Sequence, residues 1–469
     1  MDTTKCHVAI IPSPGVGQII PLLEFAKRLV SLHGFHVSFF ILTTDASTAQ
    51  SQLIRSTSVP DGLHIIQLRQ DSSSMTRISK VIRESIPLLR SAITDLANPT
   101  VLIVDIFGTD VFEIADDLRM LKYLFFTSSA SLLALMMHLP TLDQEINGEY
   151  IDLPEPLQIP GCNPIRIDDL VDSLRDRRNE RYRSFLHHAH RFRMAHGILI
   201  NTCEDLEPKT ISTLRENDTL MQNPTPRVYP VGPLIRSDRP FFHGPACLTW
   251  LDMHPPESVL FVAFGSGGTL SAKQITELAW GLELSQQRFI WVVRPPSGRD
   301  GPRNVRVSMD GSDDPLDYLP DGFLTRTRGV GLVVHTFGPQ IEILGHISTA
   351  GFLTHCGWNS TMESIMHGVP MIVWPLYAEQ RMNAAMLADD LKVAVRSEPL
   401  NGVVGREELE RVVRLVIDGE EGKTMRARVK KLKDAALRAL DEGGSSCNSL
   451  SHVVSEWKVN LQNMDENVQ

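Results

Sequence analysis

The sequence predicts an α/β protein built from two doubly wound domains, each with a parallel β-sheet covered by helices. Runs of uniformly apolar residues, such as HVSFFIL at 36–42 and SVLFVAF at 258–264, are typical of parallel strands buried on both faces. Glycine-bearing turns follow several runs, and apolar residues at helical spacing come next, which indicates a strand, a turn and a helix in succession. This order begins twice along the chain and therefore predicts two domains.

The first half begins with a strand, a turn containing Gly15 and Gly17, and a helix with apolar residues at helical spacing from Leu22 to Val30. Four prolines within 223–235 indicate that regular structure ends there, so we predict a linker at 236–250. The predicted strands of this half are 8–11, 36–42, 100–107 and 197–202.

The second half repeats the pattern from residue 258. Its first strand precedes the glycine turn GSGGT at 265–269 and a helix at 271–285 that begins after a serine cap. The polar segment 295–320 predicts a long surface loop. Further strands are predicted at 288–294, 331–337, 351–355 and 370–375. We therefore predict one domain at 1–235 and a second at 251–451, with ligands bound at the carboxyl ends of the strands.

Composition excludes several classes of protein. The formal net charge of −10 gives the chain no overall attraction to nucleic acid or to anionic membranes. No uncharged apolar stretch reaches about 18 residues, and the N-terminus lacks the pattern of a secretory signal. The six cysteines are scattered, without metal-ligand spacing or a dense disulfide framework. We expect a monomeric, cytoplasmic protein without a membrane span or a nucleic acid partner.

The most informative segment is 337–380, which contains GFLTHCGWNSTMES. This stretch predicts a strand, a tight glycine turn and a helix whose first turn holds Asn359, Ser360 and Thr361. Exposed N–H groups and the positive end of the dipole make a helix N-terminus suitable for an anion, and His355 could complete a diphosphate site. A carboxylate at Glu363 suits a sugar diol. The same spacing also fits a capped helix that packs after a strand.

Two common nucleotide motifs are missing from the sequence. There is no Walker lysine motif, and GSGGT does not match G-x-G-x-x-G. Kinase and nicotinamide-dependent functions are therefore disfavoured.

The segment from Phe337 to Gln380 resembles the signature of plant UDP-sugar-dependent glycosyltransferases, which starts W-A-P-Q, contains H-C-G-W-N-S and ends in D/E-Q. It has the same length as that signature, 44 residues. The segments FGSGGT, LPEPLQIPGC, HLPTLDQ and VDIFGTD are similar to the hydroquinone glucosyltransferase branch of this family. The resemblance extends over essentially the whole chain.

The resemblance implies a GT-B fold with two Rossmann-like domains, the first holding the acceptor and the second the donor. It also implies that 452–469 forms a last helix returning to the first domain. A terminal glutamine in the signature is typical of glucose users, so UDP-glucose is the expected co-substrate and a small aromatic molecule the acceptor. No metal ion or other cofactor is expected, because a helix terminus and neutral donors can take the diphosphate charge.

Donor-binding residues follow from the same resemblance. Phe337 would stack on uracil, where the family usually has tryptophan, and the Gly338 backbone would bind the base. Gln340 and Glu363 would contact the ribose. The residues implied for the diphosphate are His355, Asn359, Ser360 and Ser266. Those implied for the hexose are Trp358, Glu379 and Gln380.

The first glycine turn departs from the family pattern. That pattern reads P-x-P-G-x-G-H, in which histidine is the general base and an aspartate on a later strand orients it. Here the turn reads PSPGVGQ, so Gln18 occupies the base position, while the aspartate is present as Asp105. An amide has no basic site near neutral pH. Loss of a positioned base typically lowers the rate by about 10²- to 10⁴-fold.

Four hypotheses account for Gln18. In the first, the chain is a transferase in which Asp105 acts on the acceptor, directly or through water, or in which the acceptor is an acidic phenol. In the second, a neighbouring histidine replaces the base. In the third, the chain binds its ligands without catalysis, and in the fourth, the glutamine was introduced into an active parent. The histidines nearest in sequence are His7, His33 and His36. Phe107 is a candidate for the acceptor pocket, although a plain core position is equally consistent with the sequence.

Overall fold

The computed structural model describes residues 6–43, 57–69, 78–216, 225–237, 245–296, 315–335, 338–400 and 402–466. The predicted uracil-stacking residue Phe337 and residues 238–244 of the predicted linker lie outside these ranges. The chain forms two compact units, one made of Met1–Asp238 with Ala436–Gln469 and the other of Arg239–Ala435. The boundaries given above for the domains and the last helix remain predictions.

The first unit contains a seven-stranded parallel sheet in the order β3-β2-β1-β4-β5-β6-β7. The chain reverses its direction of winding between β1 and β4, which are neighbours in the sheet. The turns after these two strands therefore lie side by side at the carboxyl edge, where doubly wound folds bind ligands. The strands are β1 His7–Ile11, β2 His36–Thr43, β3 Leu63–Arg69, β4 Val101–Asp105, β5 Leu121–Phe126, β6 Gly197–Ile200 and β7 Arg227–Pro230.

The second unit contains a six-stranded parallel sheet in the order β10-β9-β8-β11-β12-β13. Its winding reverses between β8 and β11, so the turns after these strands are the neighbouring ones. The strands are β8 Val259–Ala263, β9 Arg288–Val293, β10 Gly331–His335, β11 Thr349–Thr354, β12 Met371–Val373 and β13 Ala394–Arg396.

Helices connect the strands in both units. In the first unit, the helix after β1, α1 (Val16–His33), ends before Gly34, whose φ of 68° is the left-handed conformation that closes many helices. In the second, the helix after β8 is capped by Ser271, as predicted, because the hydroxyl accepts from Gln274 N.

The α-helices of the described chain are α1 Val16–His33, α2 Ile78–Glu84, α3 Ile86–Thr94, α4 Phe112–Asp117, α5 Ala130–Glu145, α6 Glu180–Arg191, α7 Pro208–Glu216, α8 Pro245–Asp252, α9 Ala272–Ser285, α10 Phe323–Arg326, α11 Gln340–Leu344, α12 Trp358–His367, α13 Gln380–Ala385, α14 Arg406–Ile417, α15 Glu420–Leu440 and α16 Ser445–Glu466.

Each unit has its own apolar core, and the core of the first unit includes α16. Trp457 on this helix is fully buried, and its ring lies 5.1 Å from that of Tyr123 on β5. The core of the second unit is built on β8, β9 and β11, with Trp291 and Leu353 buried among helices α9 and α14. The predicted α/β class with two doubly wound sheets is confirmed. The sheets hold the turns after β1, β4, β8 and β11 in fixed positions.

Candidate functional site

The turns after β8 and β11 enclose His355, the residue that follows β11. This side chain is only 7% exposed and lies between two glycines. A Cβ atom at Gly265 would come within 2.4 Å of the imidazole, and one at Gly357 within 2.5 Å. Both turns therefore need glycine, because any larger residue would displace the ring. The sequence indicated the turns but not this steric reason for them.

His355 is neutral at physiological pH. Burial lowers the pKa of the imidazole to about 4, and the positive charge of Arg294 acts in the same direction. The Nδ1 atom has no hydrogen-bond partner among the residues that the structure describes. An unpaired buried nitrogen next to a helix N-terminus is suited to a polar ligand group.

This lowered pKa predicts acid sensitivity. Because unfolding lets His355 bind a proton at its ordinary pKa, its contribution to stability is present above about pH 6.5 and is lost as pH falls towards 4. Glutamine does not titrate. Between pH 7.5 and 5, the free energy of unfolding of His355→Gln should therefore fall by about 2 kcal/mol less than that of the native protein. Urea unfolding of native and His355→Gln protein at the two pH values measures this difference. Equal losses in both proteins would contradict the prediction.

Three predicted donor residues meet beside the first turns of α12. Gln340, the first residue of α11, donates from Nε2 to Ser360 Oγ over 2.9 Å and to Glu363 Oε2 over 2.5 Å. A primary amide has two N–H groups, so one side chain can make both bonds. The result is a preformed, largely buried polar cluster at the N-terminus of the helix.

Gln380, the last residue of the signature, and Asn383 stabilise the turns that lead into α13 and α12. Gln380 is buried, and its Oε1 accepts from the backbone N–H groups of Leu376 and Tyr377 at 2.8 and 3.0 Å. Asn383, one turn along α13, donates from Nδ2 to Cys356 O over 2.9 Å. Sequence reasoning missed Asn383, because it follows the end of the signature.

The other predicted donor residues lie on the same edge of this sheet or on the adjoining helices. Ser266 is exposed in the turn after β8, and Gly338 lies two residues before α11. Trp358 and Asn359 begin α12, and Glu379 directly precedes α13.

In the first unit, Asp105 ends β4 and is completely buried. Its Oδ2 accepts from Ser13 N over 2.7 Å, and its Oδ1 accepts from Ser13 Oγ over 2.6 Å and from Phe107 N over 3.0 Å. Burial raises the pKa of the carboxyl to about 6, although these hydrogen bonds oppose the shift. The carboxylate thus holds the turn after β1 against β4.

Gln18 lies in the first turn of α1 and is half-buried. Its Oε1 accepts a hydrogen bond from the hydroxyl of Thr127, the residue after β5. Sequence reasoning missed Thr127, which is 109 residues away and carries no local signal.

No hydrogen bond joins Gln18 to Asp105 in the described residues. Ser13 occupies one oxygen and shares the other with Phe107, whereas Gln18 is engaged by Thr127. The aspartate is therefore a structural support of the turn. Three hydrogen bonds already engage its two oxygens, which does not favour direct proton abstraction from an acceptor.

The histidines nearest to Gln18 in sequence are distant from it in the fold. His7 and His36 begin β1 and β2, and His33 ends α1. In a parallel sheet the starts of the strands lie at the edge opposite to their ends. A five-residue strand such as β1 spans roughly 16 Å. None of the three is therefore near the turn that contains Gln18.

One further histidine lies near Phe107, and both of its ring nitrogens are already hydrogen-bonded. The ring centroid of His188 is 6.2 Å from that of Phe107. Its Nδ1 lies 2.7 Å from Thr109 Oγ1 and its Nε2 3.1 Å from Ser79 Oγ. Burial lowers its pKa to about 4. His188 therefore packs the acceptor-side loop and is not a candidate base; a role for Phe107 in acceptor binding stays a prediction.

We predict that Asp105→Asn destabilises the protein. However the amide is turned, its NH₂ group faces a backbone N–H, either that of Ser13 or that of Phe107. Leaving such a buried donor unpaired costs about 1–3 kcal/mol. Thermal unfolding measures the loss, and Ser13→Ala, which removes only the hydroxyl, should cost less. An unchanged midpoint in Asp105→Asn would show that these bonds contribute nothing to stability.

Neither a metal centre nor a membrane helix is found in the described ranges. No three His, Cys, Asp or Glu side chains there are grouped as metal ligands. No helix in the same part of the chain is long and apolar enough to cross a bilayer.

Two doubly wound sheets, with a helix N-terminus and a polar cluster at the winding reversal of the second, are the architecture of the GT-B class of nucleotide-sugar-dependent enzymes, and comparison with known proteins identifies the class. Residues 249–443 match the family model described as UDP-glucoronosyl and UDP-glucosyl transferase. Together with the relatives below, this match shows that the chain belongs to the UDP-sugar-dependent glycosyltransferases, a metal-independent group that uses the UDP-sugar as co-substrate.

Several relatives match over nearly their whole length. The chain is 47% identical to the hydroquinone glucosyltransferase of Rauvolfia serpentina, with 96% of this chain and 98% of the relative covered. The structure of TcCGT1 in complex with UDP matches with a TM-score of 0.91 and 46% identity, covering 97% and 100%. Phytolacca americana UGT2, complexed with UDP-2fluoro-glucose and pterostilbene, matches with a TM-score of 0.84 and 44% identity, covering 96% and 99%.

Proposed function

We propose that this protein transfers glucose from UDP-glucose to an oxygen of a small phenolic acceptor, with inversion at the anomeric carbon. The acceptor oxygen attacks that carbon in line while the bond between the carbon and the diphosphate oxygen breaks, and the electron pair of this bond leaves with UDP. The observation that carries the proposal is the cluster of Gln340, Ser360 and Glu363 next to His355, whose buried Nδ1 lacks a partner in the described chain. The relatives support glucose as the sugar and phenols as acceptors.

The donor would be held by the second unit. Gln340 and Glu363 bind the ribose diol, and Phe337 with the Gly338 backbone binds uracil. The N-terminus of α12 adds its dipole to the diphosphate site. The proposed diphosphate ligands are His355, Asn359, Ser360 and Ser266, and the proposed hexose ligands are Trp358, Glu379 and Gln380.

The acceptor would be held by the first unit, near Gln18 and Phe107. Because Gln18 cannot take a proton, the attacking oxygen must lose its proton elsewhere or arrive without one. A monomer is expected to be sufficient, since the proposed ligands come from one chain.

A second candidate function is capture of a UDP-sugar without turnover. The observation that favours it is Gln18 itself, because a transferase that has lost its base loses about 10²- to 10⁴-fold in rate. Retention of the donor residues is common to both functions, so only turnover separates them.

The experiment is a paired measurement of binding and transfer. Calorimetry should detect UDP-glucose binding, and incubation with a panel of phenols should release UDP and give a product heavier by one hexose. Binding without UDP release from any phenol between pH 6 and 10 would favour the second function. No binding at millimolar UDP-glucose would contradict both.

A further inference from the structure

The hydrogen bond from Thr127 determines which end of the Gln18 amide is available. Thr127 is 6% exposed, and its hydroxyl donates to Gln18 Oε1. The Nε2 group of Gln18 has no partner among the described residues. An amide whose oxygen is occupied presents N–H donors. The base position of the family is thus converted from a proton acceptor to a hydrogen-bond donor.

The backbone donors of Ala130 and Ser131 and the donors of Ser13, at this edge of the first sheet, are already used. Glu207 Oε2 and Oε1 accept from the backbone N–H groups of Ala130 and Ser131 at 2.9 and 3.0 Å, so a carboxylate of the chain caps α5. The Ser13 donors are bound to Asp105. The N-terminus of α5 therefore does not serve a ligand anion here.

Ser128 provides a second unused donor next to Thr127. Ser128 is 5% exposed, and its hydroxyl has no hydrogen-bond partner in the part of the chain that the structure describes. Buried polar groups are normally paired, so an unpaired hydroxyl in the residue after Thr127 is consistent with a ligand oxygen.

We propose that Gln18, oriented by Thr127, donates a hydrogen bond to an acceptor oxygen that is already ionised, so that the acceptors are acidic phenols or carboxylates. This inference rests on the proposed function and specifies its substrate class. The anionic oxygen attacks the anomeric carbon, the bond from that carbon to the UDP oxygen breaks, and UDP leaves with the negative charge. No proton has to be removed, so no base is needed. Hydrogen bonds to a charged group are the strong ones, which favours the anion over the neutral acceptor.

The test compares acceptors of graded acidity at pH 7. The probes are 4-substituted phenols from methoxy to nitro and the matching benzoates, each with UDP-glucose, and the readout is kcat/KM for UDP release. For the native chain we expect the rate to rise as the phenol pKa falls towards 7. Transfer to benzoates, which gives alkali-labile glucose esters, would identify carboxylates as the anion, and transfer to phenols alone would identify phenolates.

Variants separate the hydrogen bond from the shape of the side chain. Thr127→Val should lower the rate for acidic acceptors by roughly tenfold, whereas Thr127→Ser, which keeps the hydroxyl, should retain it. Gln18→Glu replaces the donor by a carboxylate, so it should lose the preference for acidic acceptors and favour weakly acidic ones. Thermal unfolding of each variant controls for misfolding.

Two results would overturn the inference. If the native chain turns over and its rate does not depend on acceptor acidity, the inference about ionised acceptors is wrong, whereas the proposed function is unaffected. If neither native nor Gln18→His protein released UDP with any acceptor, although both bound UDP-glucose, the proposed function itself would fail.

Discussion

Gln18→His is expected to raise kcat/KM for a weakly acidic phenol by about 10²- to 10⁴-fold at neutral pH. Imidazole has a pKa near neutrality and can take the proton that the amide cannot. The side chain would extend from the first turn of α1 beside the Thr127 hydroxyl, which can hydrogen-bond one ring nitrogen. UDP release with a hydroquinone-like phenol at pH 7 measures the gain.

The same substitution should matter much less for an acidic phenol, because its oxygen is already ionised. Gln18→Leu, similar in size but without polar atoms, is the matched control and should not raise either rate. Equal rates for native and Gln18→His protein with the weakly acidic phenol would mean that another group removes the proton, and would restore Asp105 acting through water as the leading explanation.

Gly265→Ala should reduce UDP-glucose turnover by about 10²-fold, an effect comparable to other misplacements of a binding group by about 1 Å. Its Cβ would lie 2.4 Å from the His355 ring, and the residue has a φ of +69°, which alanine adopts only with strain. The imidazole would have to leave its place beside α12. Steady-state kinetics with varied UDP-glucose, together with calorimetry, should show weakened donor binding.

Gly329→Ala is the matched control in the same unit. No atom lies within 4 Å of the position its Cβ would take, and its φ is outside the left-handed region. Native-like kinetics are expected. If Gly265→Ala also retained native kinetics, the proposed place of His355 in donor binding would be wrong.

Much of the fold could be predicted because the buried strands carry strong local signals. β2, β8 and β9 are largely apolar and buried, and each coincides with a predicted strand. Strands β3, β5, β7 and β13 were not predicted. β5 is buried, but Lys122 interrupts its apolar run, and β7 and β13 have only four and three residues. β3 is an edge strand whose residues are mostly partly buried or exposed. An edge strand is paired on one side only, so polar residues interrupt its apolar pattern.

The candidate site was predicted where it is contiguous in sequence and missed where it is not. The segment around His355 lies on one strand, one turn and one helix, so its spacing suggested an anion site and the resemblance to the glycosyltransferase signature assigned its residues. Thr127 and Ser13 act on residues about one hundred positions away, and only the order of the strands brings them together. Their contacts decide how Gln18 is oriented and why Asp105 is not bonded to it.

Whether the acceptor reacts as an anion is tested most directly by the pH dependence of kcat/KM for the native chain with a phenol whose pKa is near 10, like that of tyrosine. If the acceptor must be ionised before it reacts, the rate should rise about tenfold per pH unit from pH 6 to 9 without a plateau. A plateau reached near pH 7 would contradict this, because it would mean that a group of the protein takes the proton.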